Sequence, residues 1–425
     1  MRTRLTLPGL ILAVSVAIPA GAQDPHNGFY LTTPLSLSSG YDQNFVSGSR
    51  ELDDDVTILT GPTFAWMKST HQTDFFVNYQ PEFDIFARNP SLDAWNHNAV
   101  MRINHRLTSR LSFEAGDYFL STTDPTRNIV NSLLLLPLGR FNQNSFYAGL
   151  GYRLDYNTKV SFRVENAVTN TDLTGALASR LNDVSTAATL AIDHVVRRVH
   201  KISGSYSFLH VSPLNSAFLA SSTNVQLLNV TYSYDVNPGL TLRAAGGVVG
   251  GNESAFLGTA AIEKRAGNVW LAAGYQRYLS FFGGLAPVVS GPPGAIAFNE
   301  GLTPTAVYQV ASVRAWGQIT PRVGIQGTVQ RALNGVNLDG IQVRSMIGQL
   351  RLDYRMTDRM TWFVRGEYYG QNVPQFSPFP SSRRRYFAGV EIALSRPPEP
   401  VQRRRSLPPD SDDSPTGDSI PPAER

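Results

Sequence analysis

The sequence predicts an all-β fold, a transmembrane antiparallel up-and-down β-barrel of about 18 strands with short periplasmic turns and long extracellular loops. Apolar and polar residues alternate with a period of two along most of the chain, which indicates strands with one apolar and one polar face. Short and long connections separate these strands in alternation. After the N-terminal segment, no apolar run approaches the ~18 residues of a membrane helix, so a membrane-embedded form must cross with strands.

The first 22 residues predict a cleaved secretory signal peptide. Arg2 and Arg4 give a positive start, an apolar run follows over 5–19, and Ala-Gly-Ala at 20–22 supplies a small-x-small cleavage site. An uncleaved anchor helix is the alternative, but the apolar run is short for a membrane span. The predicted segments are a signal peptide (1–22), a periplasmic leader (23–32), a transmembrane barrel (33–395) and a tail (396–425).

The clearest strand pattern runs from Phe75 to Ile85, where odd-numbered positions are apolar and even-numbered positions are mostly polar. Charges such as Glu82 and Asp84 lie in the middle of this polar face, which suits a water-filled or ion-paired lumen better than the core of a soluble sandwich. The same pattern predicts strands at 33–45, 56–68, 73–87, 95–107, 111–121, 143–154, 159–170, 183–195, 200–211, 223–235, 239–250, 253–264, 268–281, 305–318, 322–332, 341–355, 359–370 and 384–395.

The connections between the predicted strands fall into a short set and a long set. Short links such as Asn237-Pro238 and Ala266-Gly267 contain the small polar, Pro and Gly residues that close hairpins. Both chain termini fall on the short-turn side, which is the periplasmic side in barrels of this kind, and an even strand number follows. The long connections are 122–142, 171–182, 212–222, 282–304, 333–340 and 371–383.

Composition excludes several classes of protein and site. Charged residues make up only 16% of the chain, and the net charge of +4 is too small and too dispersed to indicate nucleic-acid binding. The absence of cysteine excludes a disulfide framework, a cysteine metal site, a cysteine nucleophile and a lipid anchor on an N-terminal cysteine. The seven histidines show no metal-ligand spacing, so no metal or cofactor is predicted.

The signal peptide, strand alternation and turn asymmetry together resemble the bacterial outer-membrane β-barrel superfamily, over nearly the whole mature chain. Gly389, Ile392 and Leu394 fit the G-x-x-hydrophobic-x-hydrophobic signal that the barrel-assembly machinery reads in the last strand of this class. Two departures exist, because a tail follows Leu394 and Phe387 occupies a usually polar position. An ordinary alternating strand is the alternative. The resemblance implies a place in the cell outer membrane, with outer-membrane lipids, lipopolysaccharide and the barrel-assembly machinery as partners.

The charged residues on the polar strand faces are predicted to line the lumen. One interpretation is a polar conduit whose opposed charges bias solute passage. The favoured alternative is a set of cross-strand ion pairs that satisfies the inner wall, because acidic and basic residues are balanced and the arginine excess of a strongly anion-selective exporter is missing. The predicted lumen-lining residues are Glu82, Asp84, Arg102, Arg106, Glu114, Arg153, Asp155, Arg163, Glu165, Arg243, Arg314, Arg351, Asp353, Arg365, Glu367 and Glu391.

Loop 122–142 contains an apolar run and is the third long loop of the predicted layout. The third loop of general porins folds inward and narrows the pore, and by that resemblance this loop is a candidate constriction. The alternative is a helix that lies against the rim or the outer leaflet. The candidate constriction residues are Leu133, Leu134, Leu135, Leu136 and Arg140.

Two basic groups lie near the C-terminus. Arg383, Arg384 and Arg385 begin the last predicted strand, where pairing with lipopolysaccharide phosphates and ordinary solvation are equally favoured. Residues 396–425 are rich in proline, cannot bury a core, and are predicted to be a disordered, extended periplasmic tail. This tail is a candidate binding segment for a periplasmic partner.

The sequence favours an outer-membrane channel for small polar or saccharide-like solutes, because about eighteen strands leave an aqueous lumen. The alternatives are an export barrel for a surface polysaccharide, with the tail recruiting periplasmic machinery, and an outer-membrane barrel enzyme. For the enzyme, His210 with Ser212 is the example of a Ser–His pair, but hydroxyl residues near a histidine are common. No G-x-S-x-G motif is present, and the chain is not predicted to be an enzyme.

Overall fold

The computed structural model describes residues 28–33, 35–47, 50–61, 63–124, 138–172, 182–197, 199–214, 222–251, 254–280, 306–334, 344–372 and 382–392. The predicted signal peptide, residues 23–27 of the leader, Leu394 and the predicted tail lie outside the described residues. No helix in the described ranges is long and apolar enough to cross a membrane.

The described chain is almost entirely β-strand, with one 3-10 turn at Pro90–Leu92. The strands are β1 (Gly28–Thr33), β2 (Leu35–Ser47), β3 (Arg50–Thr60), β4 (Thr63–Ser69), β5 (Thr73–Phe86), β6 (Ala94–Arg106), β7 (Leu111–Thr122), β8 (Phe141–Arg153), β9 (Thr158–Thr171), β10 (Asp183–Arg197), β11 (His200–Pro213), β12 (Thr223–Asn237), β13 (Leu240–Gly250), β14 (Ala255–Ala266), β15 (Val269–Ser280), β16 (Ala306–Gln318), β17 (Val323–Asn334), β18 (Arg344–Arg355), β19 (Met360–Asn372) and β20 (Ser382–Ile392).

These segments form one closed antiparallel sheet. Each strand pairs with its neighbours in the chain, and β20 pairs with β2 from Leu35 opposite Ile392 to Gln43 opposite Arg384, which closes the barrel. β1 with β2, and β3 with β4, are successive parts of two long strands, because β1 pairs with β4 and β2 with β3 in one continuous hairpin. The twenty segments therefore form eighteen barrel strands, the predicted number.

The first hairpin departs from the predicted boundaries. Its strands run over 28–47 and 50–69, so residues 28–32 of the predicted leader belong to a strand, and the predicted break at 46–55 is closed by the pair Ser47–Arg50. The acidic stretch around Asp54 hid this extension, because the apolar alternation that marks a strand is required only where the strand meets lipid. Beyond the apolar belt, backbone pairing continues with polar side chains on both faces.

Side chains alternate between an apolar outer surface and a polar interior. Large apolar residues such as Val313, Trp362 and Phe64 are more than half exposed on the outer face, which is the surface that lipid covers. Their neighbours along each strand point to the lumen and include most of the charged residues. The predicted alternation is thus present around the whole barrel, as in Phe75–Ile85 of β5, which pairs with β6 in register.

The periplasmic turns share a local hydrogen-bond pattern. The Thr108 hydroxyl oxygen accepts hydrogen bonds from the N–H groups of Arg110 and Leu111, and the Thr320 hydroxyl oxygen accepts equivalent bonds from those of Arg322 and Val323. Such threonine turns reverse the chain within four residues. On the opposite, extracellular rim most connections are long, and the links 48–49 and 251–254 are the short exceptions.

Candidate functional site: the lumen wall

The predicted lumen-lining residues lie on the inward face of the barrel, with one exception. Each alternates with exposed outward residues; Arg163, for example, lies between Phe162 and Val164, which are 47% and 39% exposed on the outer face. The exception is Asp155, which lies in the periplasmic turn between β8 and β9 and accepts hydrogen bonds from the N–H groups of Asn157 and Thr158. Asp155 lies two residues after the end of β8, where the alternation of faces no longer applies, so the prediction for this residue was wrong.

Many of the inward charges are paired across or along strands. Arg351 donates to Asp353 at 2.7 Å and to Glu391 at 2.6 Å, and its guanidinium lies 4.2 Å from the centre of the Phe363 ring. Equivalent pairs lie within β9, between β7 and β9, between β13 and β14 and within β19. Their arginines are partly exposed to the lumen, whereas Glu367 is buried. These distances fit the interpretation in which ion pairs between neighbouring side chains compensate the charges of the inner wall. The pairs are Arg163–Glu165, Arg163–Glu114, Arg243–Glu263 and Arg365–Glu367.

A buried group, here called the arginine cluster, occupies the extracellular half of the wall; it consists of Asp42, Asp124, Glu367, Arg383 and Arg385. Arg383 binds the carboxylates of Asp42 and Asp124, with its Nε 2.9 Å from Asp42 Oδ1 and its NH1 3.0 Å from Asp124 Oδ1. Arg385 donates to Asp124 at 3.0 Å and pairs with Glu367 at 2.6 Å. Both arginines are only 1% exposed.

The arginine cluster corrects the interpretation of the three consecutive arginines. Residues 383 and 385 of a strand share one face, and the pairing of Arg385 with Asp42 across β20 and β2 places that face inside the barrel. They are therefore not available to lipopolysaccharide, and only Arg384 points outward. Removing one partner of a buried ion pair typically costs about 3–5 kcal/mol, which indicates how strongly the cluster depends on each member.

The arginine cluster fixes one end of the connection between β7 and β8. Asp124 follows the last residue of β7 and reaches β20, which is five strands away around the barrel wall, so the chain turns inward as it leaves β7. At the other end, Leu138 packs on an inward apolar patch formed by Val56, Ile58, Phe86 and Phe387. Both described ends of this connection thus contact the same side of the inner wall.

Of the candidate constriction residues, only Arg140 is among the described residues. Leu133, Leu134, Leu135 and Leu136 lie outside the described residues. Arg140 donates to the Trp95 carbonyl oxygen at 2.8 Å and to the Ser121 hydroxyl at 3.3 Å. Because Ser121 shares the outward face of β7 with Phe119, this guanidinium lies against the outer side of the rim and does not point into the lumen.

A second connection also packs inward. The fully buried Asp54 accepts hydrogen bonds from the backbone N–H of Arg88 and the side-chain amide of Asn89, both at 2.8 Å. Leu92, in the 3-10 turn of the same connection, joins the apolar patch that holds Leu138. Extracellular segments therefore accumulate on the side of the lumen formed by β2, β3, β5 and β20.

The opposite side of the lumen has a different surface, here called the hydroxyl wall. In its middle part the inward side chains are short and partly exposed, and several bond to one another: Thr189 with Ser207 at 2.8 Å, and Ser203 to Asp193 at 2.6 Å. Toward the extracellular end lies a buried apolar cluster that includes Leu209, Val211 and Val225. Facing the hydroxyl wall are the long charged side chains of β18, β19, β20 and β2, here called the charged wall, which includes the arginine cluster. The hydroxyl wall consists of Thr189, Ser203, Ser205, Ser207, Asn229 and Thr231 on β10, β11 and β12.

Sequence reasoning missed Asp42, Asp124 and the inward role of Arg383 and Arg385. A signal existed for the arginines, because Tyr386, Val390 and Ile392 alternate as apolar residues at even positions. That pattern predicts an even-numbered lipid face and places residues 383 and 385 inside. No local signal marks Asp124, since its partners lie more than two hundred residues away. The proposed pair of His210 and Ser212 lies on the outer face, where His210 Nδ1 is 2.7 Å from Asn224 Oδ1.

No group of three or more His, Asp or Glu residues is arranged to hold a metal ion within the described ranges. No family model matches the chain, and no curated protein matches it either. Similar solved structures include OccK2 (OpdF) of Pseudomonas aeruginosa, which is 11% identical with a TM-score of 0.47 and covers 86% of this chain and 99% of its own. A BenF-like porin of Pseudomonas fluorescens Pf-5 is 9% identical with a TM-score of 0.46, covering 85% and 98%.

The siderophore receptor PirA of Pseudomonas aeruginosa is also similar, at 8% identity and a TM-score of 0.39, over 85% of this chain and 80% of its own. Likeness at this level concerns the fold alone. The barrel closes between β2 and β20, presents apolar residues to the outside and polar residues to the lumen, and has short turns on one rim. This chain is a closed, eighteen-stranded antiparallel β-barrel whose apolar outer face and polar lumen are those of a membrane-spanning barrel.

Proposed function

We propose that this barrel is a passive channel for small polar solutes, including saccharide-like ones. The observation that carries the proposal is the contrast between the two sides of the lumen. Short hydroxyl and amide side chains line the middle of β10–β12, below a buried apolar cluster that includes Leu209, Val211 and Val225, whereas paired charges fill the opposite side, where two extracellular connections also pack. The solute path then runs along the hydroxyl wall.

The chemistry of the hydroxyl wall supports an uncharged polar solute. Hydroxyl groups both donate and accept hydrogen bonds, so they replace water around a solute hydroxyl without imposing a charge. Ser205 and Ser207 alternate with outward Tyr206 and Phe208, which keeps the row of hydroxyls on the lumen side. On the charged wall most guanidinium groups already bind carboxylates, and this compensation leaves little net attraction for ions of either sign.

The inward contacts of the two described ends of the β7–β8 connection support a narrowed opening. Asp124 binds Arg383 and Arg385, and Leu138 packs on the apolar patch, so the segment between them has both ends on the charged wall. We expect residues 125–137 to narrow the lumen from that side. The hydroxyl wall then forms the other border of the opening.

Single-channel conductance in a planar bilayer tests the proposal. The refolded mature chain is compared with a variant in which residues 125–137 are replaced by a short Gly-Ser linker. We expect a steady conductance that rises in the variant, and swelling of liposomes that contain the barrel when neutral sugars are supplied outside. Absence of conductance and swelling in both forms would contradict the proposal and leave export, enzymatic or structural roles.

We further propose two partners of the chain outside its lumen. The barrel-assembly machinery recognises β20, where Gly389 and Ile392 occupy the first two positions of the signal. The proline-rich segment 396–425 binds a periplasmic partner. Deleting 396–425 tests the second point, because loss of a co-purifying partner with unchanged insertion is expected, and unchanged co-purification would contradict it.

A further inference from the structure

The outer surface carries four arginines near the extracellular ends of β15, β17, β18 and β20. Each shares the outward face of its strand with an exposed residue two positions away, such as Met346 beside Arg344 or Tyr386 beside Arg384, which are 47% and 56% exposed. Each also lies within four residues of the strand end that meets a long extracellular connection. The four are Arg277, Arg331, Arg344 and Arg384, here called the outer arginine row.

An aromatic girdle fixes the height of this row. Its members are outward and 37–56% exposed: Tyr275, Tyr368 and Tyr386. Tyr275 lies two residues from Arg277 on its periplasmic side, and Tyr368 is the cross-strand partner of Arg384. Outward tyrosines collect where the apolar membrane interior meets the headgroups. The guanidinium groups therefore lie at the headgroup level of the outer leaflet, with apolar wall beneath them.

Among the described residues, the outward faces of the strands that carry the outer arginine row offer no acidic partner. The described outward positions of β15–β20 contain no Asp or Glu, and none of the four arginines forms a salt bridge with a described residue. At the corresponding height on β9 and β10 the outward residues are neutral and bond to each other, as in Asn166 with Thr186. The described arc from β15 to β20 is thus cationic without an acidic partner, whereas the outward faces of β9 and β10 are neutral.

We propose that the outer arginine row binds the phosphate groups of lipopolysaccharide in the outer leaflet. Arginine binds phosphate through charge-assisted, often paired, hydrogen bonds, and the acyl chains of the same molecule would cover the apolar wall below. Arg331 and Arg344 are diagonal neighbours on adjacent strands, within reach of one phosphate group. At ~4.8 Å between strands, the row from β15 to β20 spans roughly 24 Å, enough for more than one phosphate.

Native mass spectrometry of the full mature chain in detergent tests the site, with purified bisphosphorylated lipid A as the probe. We expect the unaltered barrel to retain lipid A and to bind the enzymatically dephosphorylated form at least about tenfold more weakly. The double variant Arg331→Gln/Arg344→Gln is expected to lose a similar factor. Lys264→Gln is the matched control, because Lys264 is an exposed outward cation at the periplasmic end of β14.

Three results would overturn the proposal. Equal retention of the two lipid A forms by the unaltered chain would show that only the acyl chains are recognised, and this comparison needs no variant. Equal loss in the Lys264→Gln control would indicate a general charge effect. Displacement of lipid A by an excess of inorganic phosphate would identify a simple anion site. Folding of each variant is checked by its heat-dependent mobility in electrophoresis.

Discussion

The two walls of the lumen use opposite means to present a polar surface. On the charged wall, Arg383 and Arg385 are 1% exposed and are surrounded by three carboxylates, so their charges stabilise structure and are withdrawn from the solute. On the hydroxyl wall, Ser205 and Ser207 are partly exposed and uncharged. The number of charged residues on a lumen face is therefore a poor guide to what a solute meets.

Asp124 is the residue on which we expect the charged wall to depend most, since among the described residues of the β7–β8 connection it binds both arginines. Asp124→Asn keeps the shape and removes the charge. We expect a loss of stability on the order of 3 kcal/mol, because two buried guanidinium groups lose a shared carboxylate, together with a higher and noisier single-channel conductance. Urea unfolding in lipid vesicles and bilayer recordings measure the two effects.

Asp358→Asn is the control for this change, because Asp358 lies exposed in a periplasmic turn. It is expected to leave both stability and conductance nearly unchanged. If Asp124→Asn behaves like Asp358→Asn, the arginine cluster does not hold the connection inward.

A new charge should act differently on the two walls. Ser205→Asp places a carboxylate on the hydroxyl wall beside Ala191 and Asn229, where no cation is its direct cross-strand partner. We expect a clear shift toward cation selectivity, measured as the reversal potential in a salt gradient. An unchanged reversal potential would mean that solutes do not pass along β11.

Gln349→Glu is the matched change on the charged wall. Gln349 donates to the Tyr369 hydroxyl at 2.8 Å, and that hydroxyl also accepts a hydrogen bond from Arg385. The nearby guanidinium groups should compensate the added charge, so the shift in reversal potential is expected to be smaller than for Ser205→Asp. A larger shift would reverse the assignment of the two walls.

Close packing under the charged wall predicts a third effect. A methyl group at Gly389 would lie 2.5 Å from the Phe363 ring and 2.7 Å from the Leu37 carbonyl oxygen, so Gly389→Ala is expected to cost about 1–3 kcal/mol. Gly246→Ala, on the outer face with nothing within 4 Å, is the control and should be nearly neutral. Thermal unfolding of the purified barrel measures both. A neutral Gly389→Ala in this assay, with failed insertion in cells, would assign this glycine to assembly alone.

The smallest effect is expected at Asp155, which lies outside both walls. The N–H of Asn157 and the groups of Thr158 lower the pKa of this carboxyl by binding its charged form. A lowered folded pKa contributes stability that is present above the ordinary Asp value of 3.8 and is lost as the pH falls through the folded value. The stability difference between the unaltered chain and Asp155→Asn should be slight at neutral pH and vanish in acid, as measured by thermal unfolding against pH. A difference that grows in acid would contradict this assignment.

The strand number, the antiparallel order and the face on which most side chains lie were predictable from the sequence. These follow from local chemistry: alternation with a period of two marks each lipid-facing strand, and threonine, proline and glycine mark the turns. The extension of the first hairpin was not predicted, because backbone pairing continues beyond the lipid belt, where no apolar face is needed to indicate a strand.

Which charges are buried, and where the connections pack inside the barrel, became clear from the tertiary structure alone. Asp42, Asp124 and Arg383 come from distant parts of the chain, and closure of β20 against β2 brings two of them side by side. Alternation predicts whether a side chain points inside or outside, but it does not predict which residues of distant strands and connections that side chain contacts. The packing of the β5–β6 connection and of both ends of the β7–β8 connection against one side of the wall is set by contacts between segments far apart in sequence, and the proposed solute path depends on this asymmetry.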